Sequence, residues 1–180
     1  MSGELHEDPV FNYRLRFHPV KKDVLKMDVI VDPGGGVSIP HYHPNLEERF
    51  DVLKGEATFT ADGERIVARP GDPTVVVAPG VRHSFKNTGD EEAHIVCNAE
   101  PAQDLQGFLT EAAAMARAGK YTKRGIPRGP RALLEAAEFT DRYRDTVVIT
   151  GRTFPPPRVQ PALLGPLARL QRRRQQRAAA

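Results

Sequence analysis

The chain has 180 residues, a formal net charge of +3 and a single cysteine, Cys97. This length favours one domain with a hydrophobic core and an appendage over two ordinary domains. Because no apolar run reaches the roughly 18 to 20 residues that cross a bilayer, the N-terminus lacks the pattern of a signal peptide, and one cysteine cannot form an internal disulfide, we expect a cytoplasmic protein with no transmembrane segment.

The first hundred residues carry the pattern of an all-β domain. Over residues 11–17 apolar and polar side chains alternate, which is typical of a strand with one side facing solvent. Turn signals rich in Gly, Pro and Asp separate further predicted strands at residues 25–31, 37–41, 48–53, 57–60, 65–68, 74–78, 83–87 and 94–99. Many short strands at this spacing predict a sandwich or barrel, and we assign residues 10–100 to this domain.

The spacing becomes helical after Pro101. Apolar side chains recur at intervals of three and four residues, which predicts a helix over residues 102–118 that ends at Gly119. A second helix is predicted over residues 131–143. Residues 154–158 should be extended because of their three prolines, and a last short helix follows them. Residues 101–180 are therefore interpreted as a helical C-terminal extension with a basic tail.

The positive charge is concentrated at the end of the chain. Seven of the 26 basic residues are arginines that follow Gly151, where no acidic residue occurs, and the remaining 19 face 23 acidic residues. This tail could contact an anionic membrane surface, but the solvated end of a helix packed on the barrel or on a second subunit is the simpler explanation. Because the tail lacks interleaved aromatic residues and a helix-turn-helix pattern, we expect no nucleic-acid partner.

Four potential metal ligands occur in two short segments. His41 and His43 are two residues apart, so in a strand both imidazoles would lie on the same side. In the next predicted strand Glu48 would share the inner face with Phe50, whereas Glu47 would face solvent or pair with an arginine. A carboxylate facing an apolar interior requires a compensating cation. The candidate ligand set, with the second histidine segment included, is His41, His43, Glu48 and His83.

Three imidazoles and one carboxylate suit one divalent transition metal ion: Fe, Mn, Ni, Co, Cu or Zn. The same four residues could instead be hydrogen-bonded polar groups of a metal-free barrel. Arg82 could bind an anionic substrate or form a surface ion pair, and Cys97 is interpreted as a small buried hydrophobic residue. The remaining histidines are expected to be surface or structural residues: His6, His18 and His94.

These segments resemble the two signature motifs of the cupin superfamily, whose members are small β-barrels of the jelly-roll, or double-stranded β-helix, type. The first motif requires a glycine, His-x-His, a glutamate and a second glycine, and every interval is satisfied by Gly35, His41, His43, Glu48 and Gly55. The end of the second motif, Gly-x-x-His-x-x-x-Asn, is satisfied by Gly80, His83 and Asn87, although Ala78 stands where the family usually has proline. The resemblance implies an all-β cupin jelly-roll β-barrel, here with a C-terminal α-helical extension.

The resemblance also implies a metal-binding protein that acts on a small-molecule substrate, because four protein donors leave one or two metal positions open. The leading hypothesis is a dioxygenase for an enolic or phenolic substrate, with Glu48 as the catalytic base. The alternatives are a metal-dependent isomerase, cyclase or lyase, and a non-enzymatic small-molecule-binding cupin. The fold does not choose among them. Since exposed barrel edges often pair, we expect a homodimer.

Overall fold

The structure, a computed structural model, describes residues 4–151 and 154–179. In this part of the chain, strands dominate the first hundred residues and helices dominate the rest. The strands are β1 (Leu5–Asp8), β2 (Tyr13–Phe17), β3 (Leu25–Val31), β4 (His41–Tyr42), β5 (Glu47–Lys54), β6 (Ala57–Ala61), β7 (Glu64–Ala68), β8 (Val75–Val77), β9 (His83–Lys86), β10 (Ala93–Glu100) and β11 (Val148–Ile149). The helices are α1 (Leu105–Arg117), α2 (Gly129–Arg142) and α3 (Gln160–Ala179).

Two antiparallel sheets form the predicted jelly-roll β-barrel. The first sheet has the strand order β1-β2-β3-β10-β5-β8, and the second has the order β11-β4-β9-β6-β7. Because β10 pairs with both β3 and β5, strands from both ends of the domain lie side by side in one sheet. The predicted all-β class with C-terminal helices is confirmed.

Alternating side chains of the strands build the core. In β3, Leu25, Met27, Val29 and Val31 are buried, while the residues between them are more exposed. Three phenylalanines from β5, β6 and β9 meet in the interior, with ring centroids 5.0 Å apart for Phe50 and Phe59 and 5.8 Å apart for Phe59 and Phe85. This aromatic cluster supports the strands that carry Glu48 and His83.

The structure differs from the strand predictions at two places. The predicted strand over residues 37–41 is reduced to His41 and Tyr42, because Pro40 has no backbone N–H and the Ser38 amide is used in a turn to Gly36 O. The sequence pattern also does not predict β1, which contains His6 and pairs with β2 in the register Asp8↔Tyr13.

The C-terminal extension packs on the barrel and on itself. Phe108 of α1 stacks on Phe139 of α2 with ring centroids 4.9 Å apart. Helix α3 is 20 residues long rather than short, and it packs along α2, where Arg172 lies 3.1 Å from the Asp141 carboxylate. The chain also returns to the barrel after α2, since β11 pairs with β4. No helix in the described ranges is both long and apolar enough to cross a membrane.

Candidate metal centre

The structure brings the four sequence-predicted ligands together inside the barrel. One donor atom from each residue lies within 4.8 Å of the donors of the others, in the set His41, His43, Glu48 and His83. His43, Glu48 and His83 are buried, and His41 is half-buried. His41 of β4 stands opposite His83 of β9 in the strand register, which accounts for the contact between segments 42 residues apart.

The predicted orientation of β5 is confirmed. Glu48, Phe50 and Val52 are buried on the inner face, while Arg49 is exposed. The Glu47 carboxylate instead accepts a hydrogen bond from Arg49 Nε at 2.7 Å, as the sequence predicted for the residue beside the ligand. Strand alternation therefore assigns the inner carboxylate to Glu48.

Hydrogen bonds fix which nitrogen of each imidazole faces the cluster. The Nδ1 atoms of His41, His43 and His83 lie 3.0, 2.8 and 3.1 Å from the carbonyl oxygens of Ile39, Thr146 and Val81. A carbonyl oxygen only accepts, so each Nδ1 must carry the proton and donate it. In a neutral imidazole this leaves the Nε2 lone pair free to bind a metal ion.

These lone pairs converge on one carboxylate oxygen. His43 Nε2 and His83 Nε2 lie 3.1 and 2.9 Å from Glu48 Oε2. All three atoms are buried without a geometrically acceptable hydrogen bond within the described residues. Acceptors that face each other at this distance need a proton or a metal cation between them. The donor set therefore fits a divalent transition metal ion.

The pKa values indicate which groups of the cluster are charged when no metal ion is bound. Burial and the neighbouring His83 and His43 lower the pKa of His41 to about 3, so this imidazole is neutral. Burial also acts to lower the pKa of His43, but the charge of Glu48, and the hydrogen bond that a protonated Nε2 would donate to it, outweigh burial and raise the pKa. Burial would raise the pKa of Glu48, yet the charge and hydrogen bond of His43 hold it well below its usual value. The cluster thus favours a positive charge at His43 Nε2 beside an ionised Glu48, which is the position suited to a metal ion.

Two further residues, Cys97 and Thr146, contact the candidate ligands. Cys97 is buried as predicted, and its Sγ lies 3.7 Å from Glu48 Oε1, so the thiol donates to the oxygen that faces away from the histidines. Burial in the same place raises the pKa of the Cys97 thiol, which therefore keeps its proton. Thr146 supplies its backbone carbonyl from a position 103 residues away from His43. Strand alternation places Cys97 on the inner face of β10, so the sequence could have indicated that it contacts the cluster. No local signal identifies Thr146.

The other motif residues have structural functions. A Cβ at Gly35 would lie 2.3 Å from Asn12 O, and Gly55 has a φ of +71°, so neither position tolerates a side chain without strain. Asn87 is fully buried, and its amide donates to Val31 O and Glu91 O at 2.9 and 2.7 Å. These residues fix the turns and loops between the strands.

The remaining histidines lie outside the cluster. His18 Nε2 and His94 Nε2 each lie 2.8 Å from the carboxylate of Asp28. Their bonds lower the pKa of Asp28 although burial opposes this shift. The His6 ring lies 5.2 Å from the ring of Phe17. The structural interpretation of all three from the sequence agrees with these contacts.

A cavity of about 150 Å³ opens onto the cluster of His41, His43, Glu48 and His83. Its walls are mainly apolar and aromatic, and the helical extension contributes to them through Phe108 and Leu109 of α1 and Phe139 of α2. Within residues 4–151 and 154–179 no lysine or arginine lines the cavity, and Arg82 is exposed. The chemistry available is metal binding beside an apolar space that accommodates about one aromatic ring, because a cavity of about this size holds benzene.

Comparisons with known proteins agree with this geometry. Residues 27–98 match the family model described as "Cupin domain". The chain is 39% identical over 72 residues to "Polyketide synthase CurC" of Streptomyces cyaneus, covering 40% of this chain and 46% of that protein. It is 38% identical over 72 residues to "Protein SchB" of Streptomyces halstedii, covering 40% of this chain and 51% of that protein. The chain thus spans about half the length of the curated relatives it matches.

The solved structure of an RmlC-like cupin from Shewanella frigidimarina NCIMB 400 has the same fold. It superposes with a TM-score of 0.51 at 18% sequence identity, covering 58% of this chain and 88% of that chain. The matched sequence region contains all four clustered residues, from His41 to His83. Residues 27–98 therefore match a cupin domain, and the chain has the cupin fold.

Proposed function

We propose that the protein is a metal-dependent enzyme, and that its reaction is the dioxygenation of a small enolic or phenolic substrate. The observation that supports this most strongly is the position of the three-histidine, one-glutamate cluster at the wall of an apolar cavity. Four protein donors leave coordination positions of the metal open for a substrate. A catalytic site requires such open positions, whereas a structural site is closed.

The residues of the cluster have separate functions in this proposal. His41, His43 and His83 provide Nε2 lone pairs, since their Nδ1 protons are held by carbonyl oxygens. A bound metal ion would supply a positively charged centre where the substrate oxygens and O2 meet. Glu48 remains ionised because its pKa is low, so it would provide the anionic donor to the metal ion, and in this proposal its carboxylate would also accept the proton that an enol or phenol loses.

The cavity supports an uncharged, largely apolar substrate. Phe50, Phe85 and Phe108 are among its walls, and aromatic walls favour flat rings. A small dianion would lack a cationic side chain among the described lining residues, so an enol or phenol suits the site better. The name of the Streptomyces cyaneus relative adds support, because polyketide chains contain 1,3-dicarbonyl units that enolise.

The test is oxygen consumption by the full chain loaded separately with Fe, Mn, Co, Ni, Cu or Zn. Purified protein would be given a panel of catecholic and enolic 1,3-dicarbonyl compounds, with an oxygen electrode and product masses as readouts. We expect uptake of one O2 per turnover and a product heavier by both oxygen atoms. Conversion of a compound at equal rates without O2 would favour isomerase, cyclase or lyase chemistry. Binding without conversion in any metal form would favour a non-enzymatic protein.

A further inference from the structure

The Thr146–Thr150 segment joins the helical extension to the candidate metal centre. It begins in the turn after α2 and contains β11. Thr146 is buried, and its carbonyl oxygen accepts the Nδ1–H of His43 at 2.8 Å. This bond is the one that leaves His43 Nε2 facing Glu48.

The same segment also holds the residues before His43. Ile149 pairs with His41 in the register between β11 and β4. The backbone N–H and the side-chain hydroxyl of Thr150 both donate to Pro40 O, each at 2.8 Å. Both histidines of the His-x-His motif are therefore fixed by one short stretch of the extension.

A further contact fixes this stretch from its other side. Gln160, at the start of α3, is buried, and its Nε2 donates to Ile149 O at 2.7 Å. The segment thus lies between the ligand strand and the last helix. Movement of the extension away from the barrel would release the Nδ1 of His43 and the backbone of His41 together.

We propose that the Thr146–Thr150 segment is a positioning element of the metal centre, so that tight metal binding requires the extension to be docked on the barrel. This inference rests on the proposed metal binding by His41, His43, Glu48 and His83. The physical reason is that a fixed Nδ1–H bond selects the tautomer and ring orientation that present Nε2 to the metal. Without the bond, His43 can rotate or carry its proton on Nε2, which competes with the metal.

The test uses the full chain and two metal probes, Zn²⁺ and Co²⁺, without a substrate. Thr150→Pro removes both hydrogen bonds to Pro40 O, whereas Thr150→Val removes only that of the hydroxyl. Competition with a chromophoric chelator should show Zn²⁺ binding about 10- to 100-fold weaker in Thr150→Pro, as is usual when an outer-shell partner is lost. Thr150→Val should lie between this variant and the wild type. The matched control is Thr110→Val on α1, which should bind Zn²⁺ as the wild type does.

Two readouts distinguish positioning from a loss of folding. The d–d absorption bands of the Co²⁺-saturated Thr150→Pro protein should differ from those of the wild type, because a change at His43 alters the ligand field. In the wild-type protein, added Zn²⁺ should slow amide hydrogen exchange at residues 146–150, and this measurement needs no variant. A folded Thr150→Pro protein that binds Zn²⁺ with wild-type affinity would overturn this inference but not the proposed function. Unchanged amide exchange at residues 146–150 when Zn²⁺ binds would do the same. A wild-type protein that binds neither ion would overturn the proposed function and this inference together.

Discussion

At the scale of single residues, each candidate ligand is oriented by a hydrogen bond from outside the cluster. Backbone carbonyls hold the three Nδ1 atoms, and the Cys97 thiol contacts Glu48 Oε1. Because these partners occupy the outer atoms, the Nε2 atoms and Glu48 Oε2 face one another. Loss of an outer partner of this kind typically weakens metal affinity about 10- to 100-fold.

Cys97 provides the first prediction. Cys97→Ala removes the donor to Glu48 Oε1 and should weaken Zn²⁺ binding by up to about tenfold, because the carboxylate can then rotate. Cys97→Ser retains a hydroxyl donor and should recover part of the affinity. Chelator competition measures all three proteins. Equal affinities in the alanine variant and the wild type would show that the thiol only fills space.

The pH dependence of metal binding provides the second prediction. Burial opposes the shift, but the charge of Glu48 raises the pKa of His43, so below this pKa a metal ion must displace the proton on His43 Nε2. Below the pKa of His43 the Zn²⁺ association constant should rise about tenfold per pH unit, and above it the curve should level off. His41, with a pKa of about 3, should add no step near neutral pH. Calorimetry in buffers of different ionisation enthalpy should detect the released proton, and a pH-independent affinity would contradict this mechanism.

At the scale of elements, the aromatic cluster of β5, β6 and β9 stabilises the strands beneath the metal centre. Phe59 is 1% exposed and packs against Phe50 and Phe85. Phe59→Ala should lower the free energy of unfolding by about 3 to 5 kcal/mol, because it removes a buried ring and leaves a cavity. Urea denaturation measures the change. The exposed Leu53 of β5 is the control, and Leu53→Ala should change stability by less than about 0.5 kcal/mol.

Sequence patterns predict the elements in which apolar residues recur at a regular interval. The bounds of β3 were predicted at both ends, and the inner face of β5 was predicted by alternation. Sequence patterns do not indicate β1, which is polar and forms by pairing with β2, or β11, which has only two residues and forms by pairing with the distant β4. Four ligand positions follow from motif spacing, but the contact of Thr146 with His43 depends on tertiary folding over 103 residues.

At the scale of the whole molecule, the barrel has strands at its sheet edges that can pair with another copy. Strands β1 and β8 end one sheet, and β11 and β7 end the other. Because unpaired strand edges offer free backbone donors and acceptors, we expect a homodimer with two-fold symmetry. Light scattering coupled to size-exclusion chromatography should give a mass of two chains. A mass of one chain at every concentration tested would contradict the expectation.

Metal content per chain tests the proposed centre most directly. Elemental analysis would measure wild-type protein purified without added metal and wild-type protein titrated with Fe, Mn, Co, Ni, Cu and Zn. The Glu48→Gln variant and the control variant Glu47→Gln would be measured in the same way. We expect the wild type and the control to hold about one transition metal ion per chain, because four donors converge at one point. The Glu48→Gln protein should lose most of it, since the anionic donor is gone. A wild-type protein that retains none of these ions, or a Glu48→Gln protein that retains as much as the wild type, would contradict a metal centre at these residues.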